Sequence, residues 1–391
     1  MAKRRGNNEG SIFQRENGNW VAQFRINGQR VSRTFQTAKE CRNWIRQMQE
    51  QVKAGLTFDG SKITVGEYLT HWLKTIKGAL RPKTHYQYEG VVRNHLLPKL
   101  DKIRMVDFHA SQIQSLYVQL QENGIGKRTV GLVHSILHKA IEDAYRQGLV
   151  ARNVVSVVQP PRPAEKEMKV LNDNQARELL IAAEGSEFEA LFHLAVTTGL
   201  RQGELLGLKW GDMDWATGVL DVQRQLQRIP QQGLVLTPPK TKAGRRLIQL
   251  GEGGVNKLAS HRKAQDAQRI RSGWQAHNLI FPSSVGTPFD PRNLLRAFKN
   301  LLKKAGLPDM RFHDLRHTAA TLMLLNNVPL MVVSRRLGHS KPSVTLDIYG
   351  HYLPGMQEGA ATLMDELVTP IATKWQQIGN SSFDPAQIRQ E

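Results

Sequence analysis

A proline-rich segment at residues 159–168 constrains the fold of this chain strongly, because no helix or strand can run through it. It begins Gln-Pro-Pro-Arg-Pro-Ala-Glu and shows no periodic apolar pattern. Helical patterns stand on both sides of it, so we interpret residues 159–168 as a linker between separately folded parts. A length of 391 residues is enough for two or three hydrophobic cores, and the sequence therefore predicts a multidomain protein.

Residues 1–60 carry the pattern of a small β-sheet followed by one helix. Three segments of alternating character are separated by Asn-Gly pairs, which predict hairpin turns, and a helical segment then runs to about Lys53. The strands carry three arginines, which are Arg25, Arg30 and Arg33. Such a sheet could lie in a DNA groove. A solvated sheet with ordinary surface arginines would look the same, and the pattern does not separate the two interpretations.

Residues 61–158 show helical periodicity throughout, which is typical of a compact all-α domain of four or five helices. The most regular helix runs from Arg128 to Gln147, and Thr64 with Glu67 predicts a capping box at the first helix. Helix starts suit phosphate groups, because their backbone amides can donate to an anion. The candidates for such contacts are Lys83, Thr84, Lys127 and Arg128. Taken singly, each of them fits an ordinary exposed position better.

Residues 169–368 mix helices with short strands, and residues 369–391 form a polar tail. The strand-like segments are Val219–Arg228, Leu234–Pro238 and Arg245–Leu250. A basic hairpin turn that contains Lys240 and Lys242 separates the last two. The whole sequence predicts a mostly α multidomain fold with small β elements: a three-stranded sheet plus helix, an all-α domain and an α+β domain.

A large surplus of positive charge narrows the choice of partner. Lys and Arg outnumber Asp and Glu by 54 to 34, which gives a formal net charge of +20 at pH 7. Such a surplus is typical of proteins that bind a polyanion, most often nucleic acid. The single Cys41 excludes an internal disulfide, and no apolar run is long enough to span a bilayer. We therefore expect a cytoplasmic protein that acts on nucleic acid and has no membrane segment.

Residues 311–352 carry the side chains that point most directly to a chemical function. His313 and Arg316 are three residues apart at the start of an apolar helical run, so both project from one helix face. His339 follows a glycine that predicts a tight turn, and Tyr349 lies ten residues further on. A guanidinium, two imidazoles and a phenol, if brought together, would hold a phosphate and present a nucleophile.

Four short motifs are spread over the second half of the chain. They read T-G-L-R-Q-G-E-L-L-G-L-K-W, H-D-L-R-H-T, L-G-H-S and T-L-D-I-Y-G-H. In this order and spacing they resemble the motifs of the tyrosine recombinases, and especially of phage and conjugative-transposon integrases. Residues 1–60 and 61–158 likewise resemble the arm-binding and core-binding domains of integrases, so the resemblance covers nearly the whole chain. It identifies residues 169–368 as the catalytic domain.

The resemblance implies a site-specific recombinase that integrates or excises a mobile element of a bacterial host. Such an enzyme cuts and rejoins DNA through a 3′-phosphotyrosyl intermediate, without metal, ATP or another cofactor. The implied partner is double-stranded DNA with core and arm sites, bound by a homo-tetramer. An accessory DNA-bending protein and an excisionase are further partners of such integrases.

The resemblance also implies a role for each matching residue. The side chains around the scissile phosphate would be Arg201, Lys242, His313, Arg316 and His339, and Tyr349 would attack it. Lys240 competes with Lys242 as the proton donor. Glu204 matches an acidic position that orients the first arginine, although a plain i,i+3 salt bridge explains it nearly as well.

These implied roles agree with elementary phosphate chemistry. The transition state carries extra negative charge on the non-bridging oxygens, which two guanidiniums can bind bidentately in place of a metal pair. A phenol has a pKa near ~10, so Tyr349 needs a proton acceptor, for which His313 is the candidate. Lys242 would protonate the departing 5′-oxygen, and His339 would donate a hydrogen bond to the phosphate.

Two other functions remain open at this stage. A non-catalytic DNA-binding regulator on the same scaffold would share the charge but would not need the full set of site residues. A zinc metallohydrolase would use His313 and His317, which have the i,i+4 spacing of a zinc helix. Against it, Arg316 would place a cation beside the metal. In the recombinase hypothesis we interpret His317 as a structural neighbour of His313 and Tyr352 as a packing residue.

Overall fold

The computed structural model of the chain describes residues 10–26, 29–53, 62–164, 168–272, 278–350 and 356–368. The chain divides into two compact units, Met1–Lys166 and Glu167–Glu391, and each has hydrophobic cores of its own. In the described ranges, no helix is both long enough and apolar enough to cross a membrane. Helices dominate, with three small sheets, as the sequence predicted.

The first unit begins with an antiparallel sheet of three strands in the order β1-β2-β3, which are β1 (Ser11–Gln14), β2 (Trp20–Ile26) and β3 (Gln29–Phe35). Helix α1 (Ala38–Lys53) packs on one face, where Trp44 is buried with its ring centroid 6.1 Å from that of Phe35. Arg25 and Arg30 are directly paired across β2 and β3, and both are exposed on the other face. The second expected Asn-Gly turn lies outside the described residues.

Arg33, the third arginine of the strands, lies on the opposite face of the sheet from Arg25 and Arg30. Its guanidinium donates to Asp107 at 2.8 Å, and Asp107 also accepts two hydrogen bonds from Arg104. Arg33 also lies 5.5 Å from the ring centroid of Phe35. Because strand residues two apart point to the same side, Arg33 projects with the buried Val31 and away from Arg30. Its role is to connect the sheet to the helical part of this unit.

Residues 62–164, the described remainder of the first unit, are mainly helical. Its helices are α2 (Val65–Ile76), α3 (Pro82–Val91), α4 (Leu97–Leu100), α5 (Ala110–Glu122) and α6 (Lys127–Arg146), with a π-helical turn at Val92–Leu96. The expected capping box is present: Thr64 Oγ1 accepts from the Glu67 amide at 3.2 Å, and Glu67 accepts from the Thr64 amide at 2.9 Å. Lys83 and Thr84 lie in the first turn of α3, and Lys127 and Arg128 begin α6.

The second unit consists of helices and two small sheets packed around hydrophobic cores. Its helices are α7 (Asp173–Ala183), α8 (Glu189–Thr198), α9 (Gln202–Leu205), α10 (Glu252–Ser272), α11 (Pro291–Lys304), α12 (Asp314–Leu325), α13 (Leu330–Leu337), α14 (Pro342–Tyr349) and α15 (Met356–Val368). Phe192, Phe298 and Phe312 pack together with ring centroids 5.4–6.3 Å apart. This aromatic cluster fixes the start of α12 against α8 and α11.

The strands of the second unit pair differently from the sequence prediction. They are β4 (Met213–Asp214), β5 (Val219–Val222), β6 (Gln225–Ile229), β7 (Gly233–Thr237) and β8 (Arg246–Gln249). The expected single strand over 219–228 is broken where Arg224 turns to bond the buried Asp212. One sheet has the order β4-β5-β8, and the other pairs β6 with β7. The expected hairpin turn is therefore wrong, because Lys242–Gly244 is a 3₁₀ turn that connects two different sheets.

Candidate active site

Arg201 and Glu204 form one side of the site at the start of α9. Gly199 ends α8 with a φ of 65°, and a β-carbon there would come within 2.5 Å of Leu337, so only glycine fits this tight entry. Glu204 accepts the Arg201 backbone amide at 3.0 Å and the Arg201 guanidinium at 2.8 Å. The Arg201 side chain remains 39% exposed, so it is held in place and still open to solvent.

Arg246 is a member of the site that the sequence analysis did not single out. Its side chain is 7% exposed, and it donates to both carboxylate oxygens of Glu204 at 3.0 and 3.3 Å. It also donates to the carbonyls of Arg336 at 2.7 Å and Gly244 at 3.1 Å. Burial alone would raise the pKa of Glu204, but Arg246 and then Arg201 hold that pKa below its usual range. Arg246 therefore joins α9, the Lys242 turn and the end of α13.

The sequence contains no signal that would have identified Arg246. It is the second residue of an Arg-Arg pair at the start of β8, and its neighbour Arg245 is exposed. Strand alternation predicts that one of the two points inward, but only the strand pairing shows which one. Its partners lie 42 and 90 residues away in the chain, beyond the reach of any local pattern.

Arg316 occupies the centre of the site and is 2% exposed. Its guanidinium donates to the carbonyl of Gly199 at 2.8 Å and to the carbonyl of Leu337 at 2.6 Å. One carbonyl lies just before Arg201 and the other just before His339, so Arg316 positions both segments. Burial, followed by the charge of Arg201, lowers the pKa of Arg316 to about 9, and the side chain stays protonated at neutral pH.

His339 follows Gly338, as the expected tight turn requires. Gly338 has a φ of 71°, and a β-carbon would lie 2.8 Å from the carbonyl oxygen of Ala243, so the Lys242 turn packs directly against it. His339 Nδ1 lies 2.8 Å from the hydroxyl oxygen of the buried Thr345. Burial, with the charges of Arg316 and Arg201, lowers the pKa of His339 to about 4. A neutral ring that accepts at Nδ1 carries its proton on Nε2, from which it can donate to a phosphate.

His313 immediately precedes α12, as its motif predicted. Asp314 stabilises this helix start by accepting the Arg311 backbone amide at 2.8 Å. Loss of surrounding water, followed by the nearby His317, Arg316 and Arg201, lowers the pKa of His313 to about 4. His313 as a residue is exposed, and its ring is neutral at neutral pH.

Tyr349 is fully buried at the end of α14, and its hydroxyl oxygen lies 2.8 Å from His317 Nδ1. The ring of His317 lies edge-on to that of His313, with centroids 5.1 Å apart. The sequence analysis placed both histidines on one side of the helix but missed the contact between His317 and the candidate nucleophile. Tyr352 lies outside the described residues.

Two lysines of the basic turn are candidates for the proton donor. Both Lys240 and Lys242 are exposed on the connection between β7 and β8. Lys242 begins the 3₁₀ turn that packs against Gly338. The segments that carry Arg201, His313, Arg316, His339 and Tyr349 are thus assembled around buried arginines, with the lysine turn at their edge.

Known proteins share these sequence and fold features. Residues 64–121 match the model of the phage integrase N-terminal SAM-like domain, and residues 169–355 match that of the phage integrase family. A "Tyrosine recombinase XerC-like" protein of Caldanaerobacter subterraneus subsp. tengcongensis is 31% identical over 364 residues, which cover 87% of this chain and 93% of that protein.

Solved structures with the same fold include two DNA complexes. The Tn1549 transposon integrase in complex with transposon right end DNA aligns with a TM-score of 0.67 and 21% identity, over 79% of this chain and all of that one. A lambda integrase tetramer bound to a Holliday junction aligns with a TM-score of 0.54 and 20% identity, over 88% and 96%. The matched domains and the full-length similarity lead to one conclusion: the chain belongs to the phage integrase family of tyrosine recombinases.

Proposed function

We propose that Tyr349 attacks a DNA phosphodiester held by Arg201 and Arg316 and forms a 3′-phosphotyrosyl bond. As a member of its family, the chain is a tyrosine site-specific recombinase, and the proposal concerns which residues perform the reaction. The observation that carries the assignment is the position of Arg316. Its guanidinium donates to two carbonyls, one two residues before Arg201 and the other two residues before His339. Its charge also acts on Tyr349.

The electrostatics of the site support a phosphate as the ligand. Arg201 and Arg316 supply positive charge for the non-bridging oxygens, and loss of one such preorganised group costs about 3–4 kcal/mol, or ~10²–10³ in rate. Neutral His313 and His339 can donate hydrogen bonds to the same oxygens. Their pKa values near 4 keep both rings neutral at neutral pH, and a neutral imidazole has one N–H with which to donate to a phosphate oxygen.

The reaction conserves the energy of the phosphodiester. The bond from the Tyr349 oxygen to phosphorus forms while the bond from phosphorus to the 5′-oxygen breaks, and Lys242 donates a proton to that oxygen. Lys240 is the alternative donor. A 5′-hydroxyl from a second strand then reverses the step and releases Tyr349, without ATP.

The domain roles belong to the same proposal. Residues 61–158 and 169–368 hold a core site and are joined by the linker 159–168, with Lys83, Thr84, Lys127 and Arg128 at helix starts that suit phosphates. Residues 1–60 bind an arm site, and the exposed pair Arg25 and Arg30 supports this role. The lambda integrase tetramer on a Holliday junction supports a homo-tetramer on DNA. A DNA-bending protein and an excisionase would act on this assembly.

Covalent trapping tests the proposal directly. We would incubate the protein with a core-site duplex that is nicked near the cleavage point, so that the short fragment diffuses away and the adduct persists. Tyr349→Phe keeps the ring and its packing, so we expect core-DNA binding to persist while the adduct is lost. Tyr352→Phe is the matched control and should still form the adduct. An adduct that survives Tyr349→Phe would refute the assignment.

The same trapping experiment distinguishes the recombinase from the two alternative functions, a zinc metallohydrolase and a non-catalytic DNA-binding regulator. We expect the adduct to form in the presence of a strong chelator, whereas activity that returns only with added zinc would support the metallohydrolase. Tight and specific binding with no adduct from any variant would support the regulator.

A further inference from the structure

A buried hydrogen bond connects the candidate nucleophile to a histidine outside the expected set. His317 is 9% exposed and Tyr349 is fully buried, and the distance from His317 Nδ1 to the Tyr349 hydroxyl oxygen is 2.8 Å. His313, which was expected to accept the proton, lies on the far side of this contact as a neighbour of the His317 ring, with ring centroids 5.1 Å apart. We propose that His317 is the general base that accepts the proton of Tyr349 during cleavage. This inference rests on the proposed function of Tyr349.

The surroundings of His317 suit a base. Burial, with the charges of Arg311 and Arg316, keeps the pKa of His317 below its usual range, so the ring is neutral and able to accept a proton at neutral pH. Asp314 acts in the opposite direction and favours the protonated ring. The other titratable groups that act on or contact this ring are His313, His339 and Tyr349. A proton that arrives from Tyr349 therefore forms an imidazolium that the Asp314 carboxylate stabilises.

The proton and electron balance of the step is complete within the site. The O–H bond of Tyr349 breaks, its proton binds His317 Nδ1, and the electron pair on the phenolic oxygen forms the bond to phosphorus. The bond from phosphorus to the 5′-oxygen breaks, and the lysine of the basic turn protonates that oxygen. Rejoining reverses each transfer, and His317 returns the proton to Tyr349. The Nδ1 atom accepts only in the tautomer that carries its proton on Nε2.

His317→Asn separates a proton acceptor from a mere hydrogen-bond partner. The asparagine side-chain oxygen can occupy the position of Nδ1 and accept the Tyr349 hydrogen bond, but it does not take up a proton near neutral pH. We would measure single-turnover adduct formation on a nicked core duplex with a 5′-bridging sulfur, because a thiolate leaves without a proton donor. We expect a rate lower by ~10²–10⁴. The rate should also rise about tenfold per pH unit, since hydroxide then removes the proton.

His313→Asn is the matched control on the same helix face. It should slow the adduct through the lost phosphate contact and keep the pH profile of the unmodified protein. The inference would be overturned if His317→Asn formed the adduct at the wild-type rate and with the wild-type pH dependence. It would also be overturned if His313→Asn, and not His317→Asn, showed a rate that rises with hydroxide concentration. If the unmodified protein forms no adduct, or Tyr349→Phe still forms one, the proposed function fails as well.

Chemical rescue covers the case in which asparagine disturbs the fold. His317→Ala leaves a cavity next to the Tyr349 hydroxyl, and added imidazole should restore adduct formation in proportion to its concentration. Substituted imidazoles of higher pKa should restore it faster, which a purely structural filling of the cavity would not cause. A His317→Ala protein that binds core DNA normally and gains nothing from imidazole would refute the general-base role.

Discussion

Replacing Arg246 with methionine should destabilise the second unit and disturb Arg201 without touching a proposed reacting group. The change removes the cation that contacts both oxygens of Glu204, whose side chain is 3% exposed. Removal of one partner from a buried ion pair costs about 3–5 kcal/mol, because the other charge stays buried. Arg201 still donates to both oxygens of Glu204, from its guanidinium at 2.8 Å and its backbone amide at 3.0 Å, so we expect the lower end of that range. For a unit of this size, about 3 kcal/mol lowers Tm by about 6–12 °C.

The pH dependence of this loss gives a second measurement. In the unmodified protein the pKa of Glu204 is lowered, so its contribution to stability is present above the usual glutamate pKa and is lost as pH falls through the lower folded value. In Arg246→Met the desolvated carboxylate has a raised pKa, so protonation stabilises the folded variant. The difference in unfolding free energy between the two proteins should therefore shrink as pH falls from 7 toward ~4.3.

Denaturant unfolding of Arg246→Met beside Arg245→Met provides the assay and its control. Arg245 is the exposed neighbour, so its replacement should change the unfolding free energy by no more than ~0.5 kcal/mol. Combining Arg246→Met with Glu204→Gln should cost less than the sum of the two single changes, because no uncompensated charge remains. If Arg246→Met unfolds like Arg245→Met at pH 7, the buried ion pair does not hold the site together.

Two further predictions concern other contacts. Thr345→Val keeps the shape of the side chain but removes the hydroxyl at His339 Nδ1. One hydrogen bond is worth ~1 kcal/mol, so adduct formation on the nicked duplex should slow by about fivefold, with core-DNA binding unchanged. An unaltered rate would show that Thr345 does not set the tautomer. The double change Arg25→Ala and Arg30→Ala should weaken arm-DNA binding and reduce its salt dependence. Arg33→Ala should instead lower the stability of the first unit, because its partner is Asp107. Equal effects of all three changes on DNA binding would contradict the assignment of Arg25 and Arg30 to a DNA-binding face and of Arg33 to the opposite face.

Local patterns in the sequence predicted most of the helices. They also predicted the helix start and the tight turn that carry two of the candidate site residues. Helical periodicity placed the helix that begins near Arg128, and the capping box at Thr64 fixed the start of α2, because both depend only on residues within a few positions. His313 at the start of α12 and Gly338 before His339 were likewise predictable from local chemistry. The motifs therefore identified residues that the structure assembles into one site.

Contacts over long sequence distances were not predictable. The break between β5 and β6 depends on Arg224 reaching Asp212, and the face of Arg33 depends on Asp107, 74 residues away. The contact of His317 with Tyr349 spans 32 residues and requires α14 to pack against α12. Periodicity placed His317 on a helix face, but which side chain would meet it there is decided by tertiary packing.

The way in which the arginines are held explains the unusual electrostatics of the site. Arg316 is fixed by two backbone carbonyls rather than by a carboxylate, so its positive charge is positioned but not neutralised. In the described part of the site Glu204 faces both Arg201 and Arg246, which leaves an excess of positive charge around His313 and His339. This excess contributes to the lowered pKa values of both rings and of Arg316. An entering phosphate relieves the same repulsion, and the folded site is thus preorganised for an anion before DNA arrives.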